Sequence, residues 1–165
     1  MILGSSGSGK TTLAKELGNR TGLPVVHLDQ EFWRPGWAET PDSEWAGKVA
    51  TLTARPRWII DGNYGGTLPL RMAVADTIIF LDFPRLLCLR RVLGRIFRGY
   101  GRVRDELPEG CPERLDWEFL AYVWNWPHNS RPRILAALEK FSGTIHVLRQ
   151  PAEVTRFLMR YPQRL

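Results

Sequence analysis

Gly4-Ser5-Ser6-Gly7-Ser8-Gly9-Lys10-Thr11 is the stretch of this chain that decides its fold. It matches the pattern G-x-x-x-x-G-K-[S/T] in full. Glycines let the backbone curl so that several N–H groups point at one phosphate, and the helix that follows adds its positive end. Lys10 is placed to reach the terminal phosphates of a nucleotide, and the Thr11 hydroxyl is a ligand for Mg²⁺. The stretch therefore predicts a P-loop that binds ATP and Mg²⁺, through Ser6, Gly7, Ser8, Gly9, Lys10, Thr11 and Thr12.

Short apolar runs alternate with helical patterns on both sides of this loop. We predict strands at 1–3, 25–28, 58–60, 77–81 and 144–148, and helices at 9–19, 42–55, 68–75, 84–98, 113–125, 131–141 and from 151 onward. Residues 30–41 are predicted to form a structured loop, and 99–112 a mobile one. The first run is short for a strand, so either the strand is short or the natural chain starts before Met1. The alternation predicts a three-layer α/β fold, with a five-stranded, mostly parallel sheet between helices.

Three aspartates follow predicted strands. Asp29, Asp61 and Asp82 all fall at the carboxyl ends of strands, as does the glycine-rich loop. Ligands of open parallel sheets bind at that edge. We therefore expect one site there, although Asp82 on its own is typical of a residue that simply ends a strand.

Length and charge narrow the class of protein. A chain of 165 residues suits a single P-loop kinase-like domain, with residues 99–130 as its lid. The net charge is +6, and seven arginines but no lysine lie between Arg85 and Arg104. That cluster indicates phosphate binding or an ordinary basic helix face. No membrane span or secretory signal is expected, and Cys88 and Cys111 are expected to be reduced thiols, which together predict a cytoplasmic protein.

Several nucleotide-dependent classes do not fit the motifs. A GTPase carries an N-K-x-D run, which is absent from this chain. Asp61 is followed by Gly62, so the hydrolytic carboxylate of AAA-type ATPases is missing at that place. What remains is a compact kinase with an arginine-rich lid.

Five runs of this sequence resemble the bacterial family of DNA topology modulation proteins (FlaR-like). They are Gly4 to Thr11, His27-Leu28-Asp29, Trp58-Ile59-Ile60-Asp61-Gly62-Asn63-Tyr64, Asp82-Phe83-Pro84-Arg85 and Ser130-Arg131-Pro132-Arg133. The family is similar to adenylate kinases and related small-molecule kinases. Its name implies a DNA phenotype, whereas its motifs imply phosphoryl transfer.

The resemblance implies roles for two carboxylates. Asp29 corresponds to a carboxylate that orients the acceptor hydroxyl or a Mg²⁺-bound water in related kinases; the alternative is a cap of a helix or turn. Asp61 corresponds to the Walker B carboxylate that stands behind Mg²⁺, and its alternative is a turn-forming aspartate before Gly62.

The resemblance also implies roles for arginines. Arg91-Val-Leu-Gly-Arg95 resembles the run at the lid entrance of adenylate kinases, which implies that Arg91 stacks on adenine and that Arg95 neutralises developing charge. Arg131 or Arg133 is expected to close onto the phosphates, with a surface charge at a helix start as the alternative. The loop at Pro151 resembles the one whose backbone reads adenine.

An aromatic stretch predicts the acceptor pocket. Phe32, Trp33, Arg34 and Trp37 follow Asp29 directly, and they either line a pocket or pack the loop. The predicted substrate-binding residues are Asp29, Trp33, Arg34, Asn63, Tyr64 and Arg71. Five further aromatic residues are expected in the core rather than in a base-stacking platform: Trp117, Phe119, Tyr122, Trp124 and Trp126. His27 and His146 are expected in the core, and no His/Cys grouping favours zinc.

These observations predict an ATP- and Mg²⁺-dependent phosphotransferase that acts on a small hydroxyl or phosphate acceptor, with Lys10, Asp29, Arg95 and Arg131 as catalytic residues. A second hypothesis is a nucleotide-gated DNA-binding regulator, which the absence of a known DNA-binding module disfavours. A third is an ATPase or nucleotide sensor without an acceptor. The sequence leaves the oligomeric state and the acceptor open.

Overall fold

The computed structural model describes residues 1–161. Its strands are β1 (Ile2–Gly4), β2 (Val25–His27), β3 (Trp33–Arg34), β4 (Ala38–Glu39), β5 (Ile59–Asp61), β6 (Thr77–Leu81) and β7 (Thr144–Leu148). Its helices are α1 (Lys10–Thr21), α2 (Leu28–Phe32), α3 (Asp42–Thr53), α4 (Leu68–Met72), α5 (Arg85–Gly99), α6 (Trp117–Leu138) and α7 (Pro151–Leu158), with a 3₁₀ turn at Gly65–Thr67. None of the helices among these residues is long and apolar enough to cross a bilayer.

The main sheet confirms the predicted α/β fold. Its five strands lie in the order β2-β5-β1-β6-β7, and every neighbouring pair is parallel. β1 lies in the centre, between β5 and β6, because all three of its residues are buried and apolar or glycine. The chain returns to both sides of β1, so the carboxyl edge at that strand is a topological switch point, where ligands of such sheets bind.

Alternation along the strands builds a core on each face of the sheet. On β6, Ile79 and Leu81 join the cluster that contains α1, α5 and α7, whereas Ile78 and Phe80 join the cluster against α6. Successive strand residues point to opposite faces, and both faces here are apolar. A third cluster packs α3 against β2 and β5. Both faces of the sheet are therefore covered, as a parallel sheet requires.

One long helix replaces the two helices predicted at 113–125 and 131–141. α6 runs from Trp117 to Leu138 and contains both Pro127 and Pro132. It begins where it does because the Asp116 carboxylate accepts the N–H of Phe119 at 3.0 Å. The prediction was wrong because proline signals a break, whereas here residues on both sides of the prolines are anchored in the two core clusters.

The aromatic residues of α6 divide between core and surface. Trp126 is buried, but Trp117, Tyr122 and Trp124 are 73%, 39% and 43% exposed, so the expected core position is wrong for those three. Arg85 covers the Trp124 ring, with its guanidinium carbon 4.1 Å from the ring centre.

The loop predicted at 30–41 instead contains the end of α2 and the small antiparallel hairpin β3–β4.

Candidate active site

The glycine-rich loop connects β1 to α1 and has the backbone that its sequence predicts. Gly7 and Gly9 have φ of 80° and 96°, in the left-handed region that favours glycine. A Cβ on Gly7 would stand 2.4 Å from the carbonyl oxygen of Cys88, so α5 also excludes a side chain there. The loop is thus held open by its glycines and pressed against α5.

Polar groups of this loop lack partners of their own. The hydroxyl oxygens of Ser5 and Ser8 are buried, and within residues 1–161 neither has a hydrogen-bond partner. The Lys10 ammonium donates to the Ser5 carbonyl at 3.0 Å. Burial lowers the pKa of Lys10, and the carboxylates of Asp29 and Asp61 partly offset that effect. An anion beside Lys10, such as a polyphosphate, would favour its charged form.

Asn63 fastens the loop to the end of β5. Its side-chain oxygen accepts the N–H of Gly4 at 3.1 Å, and its side-chain nitrogen donates to the Gly4 carbonyl at 2.8 Å. Asn63 does line the cleft, but both ends of its amide are engaged with the loop. Its position therefore favours a structural brace over the predicted contact with the acceptor.

Asp61 is the last residue of β5 and lies under the loop. Its Oδ1 is 2.9 Å from the Nδ1 atom of His27, on the neighbouring strand in register with it. Its Oδ2 is buried and has no hydrogen-bond partner among the described residues. A buried carboxylate oxygen without a partner, in a cleft that also contains Thr11, suits a hard cation that keeps most of its water. The residues present therefore fit Mg²⁺.

No cluster of three or more His, Cys, Asp or Glu side chains that could hold a metal occurs in residues 1–161. His27 was expected in the core, and it is instead half-buried and positions Asp61. The signal was available in the sequence, because a parallel β2–β5 pair places the residues that end the two strands side by side.

Asp29 lies in the first turn of α2, rather than at the end of a strand as predicted. Its Oδ1 accepts the hydroxyl of Tyr64 at 2.7 Å, and its Oδ2 has no partner within the described chain. Burial, followed by the charge of Asp29, raises the pKa of Tyr64, so this hydroxyl remains a donor. Tyr64 has φ of 35°, a left-handed conformation uncommon outside glycine. The pair presents one oriented carboxylate oxygen to the cleft.

Arg71 does not line the cleft, which corrects its predicted role in substrate binding. It is fully buried, and its guanidinium donates to the carbonyls of Gly62 at 2.8 Å, Tyr64 at 3.1 Å and also Asn63. Burial lowers the pKa of Arg71 to about 10. Arg71 therefore stabilises the turn after β5 by hydrogen bonds to its carbonyl groups.

Two further predicted arginines are paired elsewhere. Arg131 binds Asp82 through two hydrogen bonds of 2.7 and 2.8 Å, and Arg34 pairs with Glu44 at 2.5 Å. Neither lines the cleft, whereas Arg133 does. The catalytic role predicted for Arg131 is therefore not supported by its position, because a bidentate carboxylate occupies its guanidinium.

Two arginines of α5 line the cleft, and one of them contacts the loop. Arg91 donates to the Ser8 carbonyl at 3.2 Å. Arg95 lies 2.9 Å from the buried carboxylate of Glu113, which also pairs with Arg104 at 2.5 Å. Burial lowers the pKa of Arg95, as does the nearby charge of Arg104. Glu113 was missed in the sequence, where nothing distinguishes it from other acidic residues.

Residues 100–116, which we call the lid segment, join α5 to α6 and are packed against the hairpin. Gly36 donates its N–H to the Gly110 carbonyl at 2.9 Å, and the Trp37 indole donates to the Pro112 carbonyl at 3.1 Å. The buried thiol of Cys111 donates to the Arg34 carbonyl at 3.2 Å. The lid segment and the hairpin thus form one continuous wall.

All these groups meet in one cleft of ≈ 2410 Å³ at the carboxyl edge of the sheet. The predicted site residues that line it are Ser6, Gly7, Ser8, Gly9, Lys10, Thr11, Thr12, Asp29, Trp33, Asp61, Asn63, Tyr64, Arg91, Arg95 and Pro151. Phe119 and Tyr122, which were expected in the core, also line it. The cleft can hold a nucleotide on the loop and a second ligand against Asp29 and the hairpin.

Comparisons with known proteins agree with this architecture. No protein-family model matches the chain. The uncharacterized protein YqaC of Bacillus subtilis is 32% identical over 104 residues, which cover 61% of this chain and 57% of that relative. Among solved structures, the gluconokinase of Sinorhizobium meliloti aligns with a TM-score of 0.54 and 15% identity, over 96% of this chain and 87% of its own.

Two other solved structures give similar values. The shikimate kinase of Bacteroides thetaiotaomicron aligns with a TM-score of 0.52 at 12% identity, over 96% of this chain and 93% of its own. The deoxyadenosine kinase of M. mycoides aligns with a TM-score of 0.50 at 15% identity, over 96% and 95%. At such identities the likeness shows the fold. This chain has the fold of the P-loop kinases that act on small molecules.

Proposed function

We propose that this protein is an ATP- and Mg²⁺-dependent phosphotransferase that acts on a small-molecule acceptor. The observation that carries the proposal is one cleft in which the glycine-rich loop and Lys10 face the oriented carboxylate of Asp29. The kinase fold supports it, since the same edge of the sheet holds both the donor loop and the carboxylate. The names of the structural neighbours cover different acceptors, so the fold leaves the acceptor open.

The geometry supports a transfer by positioning and charge neutralisation. The acceptor oxygen would form a bond to the γ-phosphorus while the bond to the β-phosphate bridging oxygen breaks and ADP leaves. For a hydroxyl acceptor, Oδ2 of Asp29 takes the proton, because Oδ1 is held by Tyr64. Lys10 and Arg95 neutralise the charge that develops on the transferred group.

Thr11 and Asp61 would hold Mg²⁺, with His27 fixing the carboxylate of Asp61. When bound, the ion would neutralise charge on the β- and γ-phosphates. On the nucleotide side, Arg91 and the loop at Pro151 are proposed to contact adenine; both border the same cleft as Lys10.

Several further assignments belong to this proposal. We place residues 1–165 in a single kinase-like domain that acts in the cytoplasm. Of the range 99–130 predicted as its lid, residues 100–116 are the lid segment, and the remainder belongs to α5 and α6. The motifs quoted above support membership in the FlaR-like family of topology modulation proteins, related to adenylate kinases. A DNA-binding role is not proposed, because the sequence contains no known DNA-binding module and three arginines of the basic cluster, Arg91, Arg95 and Arg104, line the cleft.

The test is nucleotide binding and turnover in matched lysine variants. Lys10→Met should lose most of the Mg-ATP affinity in calorimetry while keeping the wild-type thermal transition, since Lys10 has one hydrogen bond to the loop. Lys48→Met removes a lysine of α3 that pairs with Glu31 outside the cleft, and it should bind ATP as the wild type does. Equal ATP affinity in Lys10→Met, or no binding in the wild type, contradicts the proposal.

A further inference from the structure

The two halves of the cleft differ in charge. The part of the cleft formed by α2, the hairpin and the turn after β5, which we call the acceptor wall, is lined by Asp29, Phe32, Trp33, Trp37, Glu39 and Tyr64. Its titratable groups are two carboxylates and a phenol, and no lysine or arginine of residues 29–72 lines the cleft. All the cationic side chains that line the cleft within the described residues come from α1, α5, the lid segment, α6 and the turn after α6.

Basic residues do exist near the acceptor wall, but each is occupied. Arg71 is buried on three carbonyls behind it. Arg34 pairs with Glu44 at 2.5 Å, and Lys48 pairs with Glu31 at 2.8 Å. None of these three can turn toward the cleft without leaving its present partner. The side chains that line the acceptor wall are therefore carboxylates and aromatic rings, and the cations beside it are paired with other groups.

Arg114, the cation of the lid segment that contacts the acceptor wall at Trp37, is also paired with a carboxylate. Arg114 lies 3.3 Å from Asp116, and its guanidinium carbon is 5.8 Å from the centre of the Trp37 ring. Helix N-termini offer little compensation, because α2, which carries Asp29 and Phe32, and α4, which borders the cleft at Leu68, have only five residues each. An anionic group placed here would face Asp29 and Glu39, and the two cations whose charge reaches Asp29, Lys10 and Arg95, are the ones assigned to the phosphates of ATP.

Anionic ligands are recognised in proteins by arginine, lysine or helix N-termini, and an unpaired charge is expensive to desolvate. Building on the proposed function, we infer that the acceptor is an uncharged hydroxyl compound that carries no phosphate or carboxylate of its own. Its apolar face lies against Trp33 and Trp37, whose rings are 5.4 Å apart at 74°.

The reaction balances with the groups present. The acceptor oxygen bonds to the γ-phosphorus, the bond to the bridging oxygen breaks to release ADP, and the hydroxyl proton moves to Asp29. Once Asp29 has released this proton to solvent, the phosphate of the product lies on the same wall as two carboxylates, Asp29 and Glu39, which repel it. The same charge that rejects an anionic acceptor thus favours release of the product.

The test uses pairs of probes that differ by one anionic group: adenosine with AMP, and glucitol with gluconate. ADP release is measured with Mg-ATP, and binding is followed separately by quenching of tryptophan fluorescence. We expect the neutral member of at least one pair to bind and turn over, with a preference of about tenfold or more over its anionic partner. An anionic member that is used equally well or better, or the absence of binding by either neutral probe, overturns the inference.

A charge reversal makes the test specific. Glu39→Lys places a cation on the acceptor wall and should shift the neutral-to-anionic preference toward the anionic probes by about tenfold. Glu109→Lys makes the same change on an exposed residue outside the cleft and should leave the preference unchanged. An unchanged preference in Glu39→Lys overturns the electrostatic argument.

The two proposals fail in different ways. If Mg-ATP does not bind to the wild-type protein, the proposed kinase function fails. If Mg-ATP binds and its γ-phosphoryl group is transferred to AMP or gluconate, the kinase function stands and only the inference about the acceptor is wrong.

Discussion

Replacing Glu113 by glutamine should lower the stability of the protein and raise its affinity for ATP. The Glu113 carboxylate is buried and pairs with Arg95 at 2.9 Å and with Arg104 at 2.5 Å. Glutamine keeps the shape and loses the charge. Two arginines that line the nucleotide side of the cleft would then lack a countercharge.

The magnitude follows from the burial of the three groups. Removing one partner of a fully buried pair costs about 3–5 kcal/mol. Here the side chains of Arg95 and Arg104 are 30% and 26% exposed, so water screens part of the loss and about 2 kcal/mol is expected. For a chain of this size that lowers the Tm by about 4–8 °C. Releasing two guanidinium groups toward a polyphosphate should strengthen ATP binding by about fivefold or more.

Thermal unfolding and calorimetric titration with Mg-ATP measure the two effects on the same samples. Glu109→Gln, an exposed change on the same lid segment, is the control and should alter neither quantity. A Glu113→Gln protein with an unchanged Tm, or with weaker ATP binding, would refute the view that this carboxylate competes with nucleotide for the arginines.

Three further predictions test the loop and its support. Gly7→Ala should destabilise the protein by about 2 kcal/mol or more, because the new Cβ would meet the Cys88 carbonyl oxygen at 2.4 Å. Gly47→Ala, which adds a Cβ in open space on α3, should instead stabilise the protein by about 0.5–1 kcal/mol. Urea titrations measure both changes. Arg71→Met should cost about 3 kcal/mol or more, since three carbonyls lose their donor, and an unchanged Tm would contradict this. Burial lowers the pKa of Lys10 from its ordinary value of 10.5. In the pH range just below 10.5, ATP should therefore bind with uptake of a proton, and its affinity should fall as the pH rises. Calorimetry in buffers of different ionisation enthalpy should show this uptake, and Lys10→Arg should abolish it.

Local chemistry made the fold and the phosphate loop predictable. The loop needs glycines at fixed positions, and the alternation of apolar runs with helical patterns sufficed for the parallel sheet. The position of Asp61 at the carboxyl edge followed from strand direction, whereas Asp29 lies in the first turn of α2 after β2. These features depend on short stretches of sequence, where backbone preference and tertiary structure agree.

What the sequence did not predict depends on long-range packing. Pro127 and Pro132 indicate a break locally, yet α6 continues through both because the residues on either side of them are buried against the sheet. Arginine is a residue type that often binds anionic ligands, but Arg71 donates its hydrogen bonds to three carbonyls after β5. The role of Glu113 depends on contacts with Arg95 and Arg104 that lie 18 and 9 residues away. Each of these requires knowledge of which distant groups meet.

The hydrogen bonds between the lid segment and the hairpin have a mechanical consequence. Any swing of the lid segment either carries Trp37 with it or ruptures the bonds at Gly110 and Pro112. A ligand that moved the lid segment would therefore also change the position of Trp37, and any resulting change in affinity would be equal in both directions by linkage.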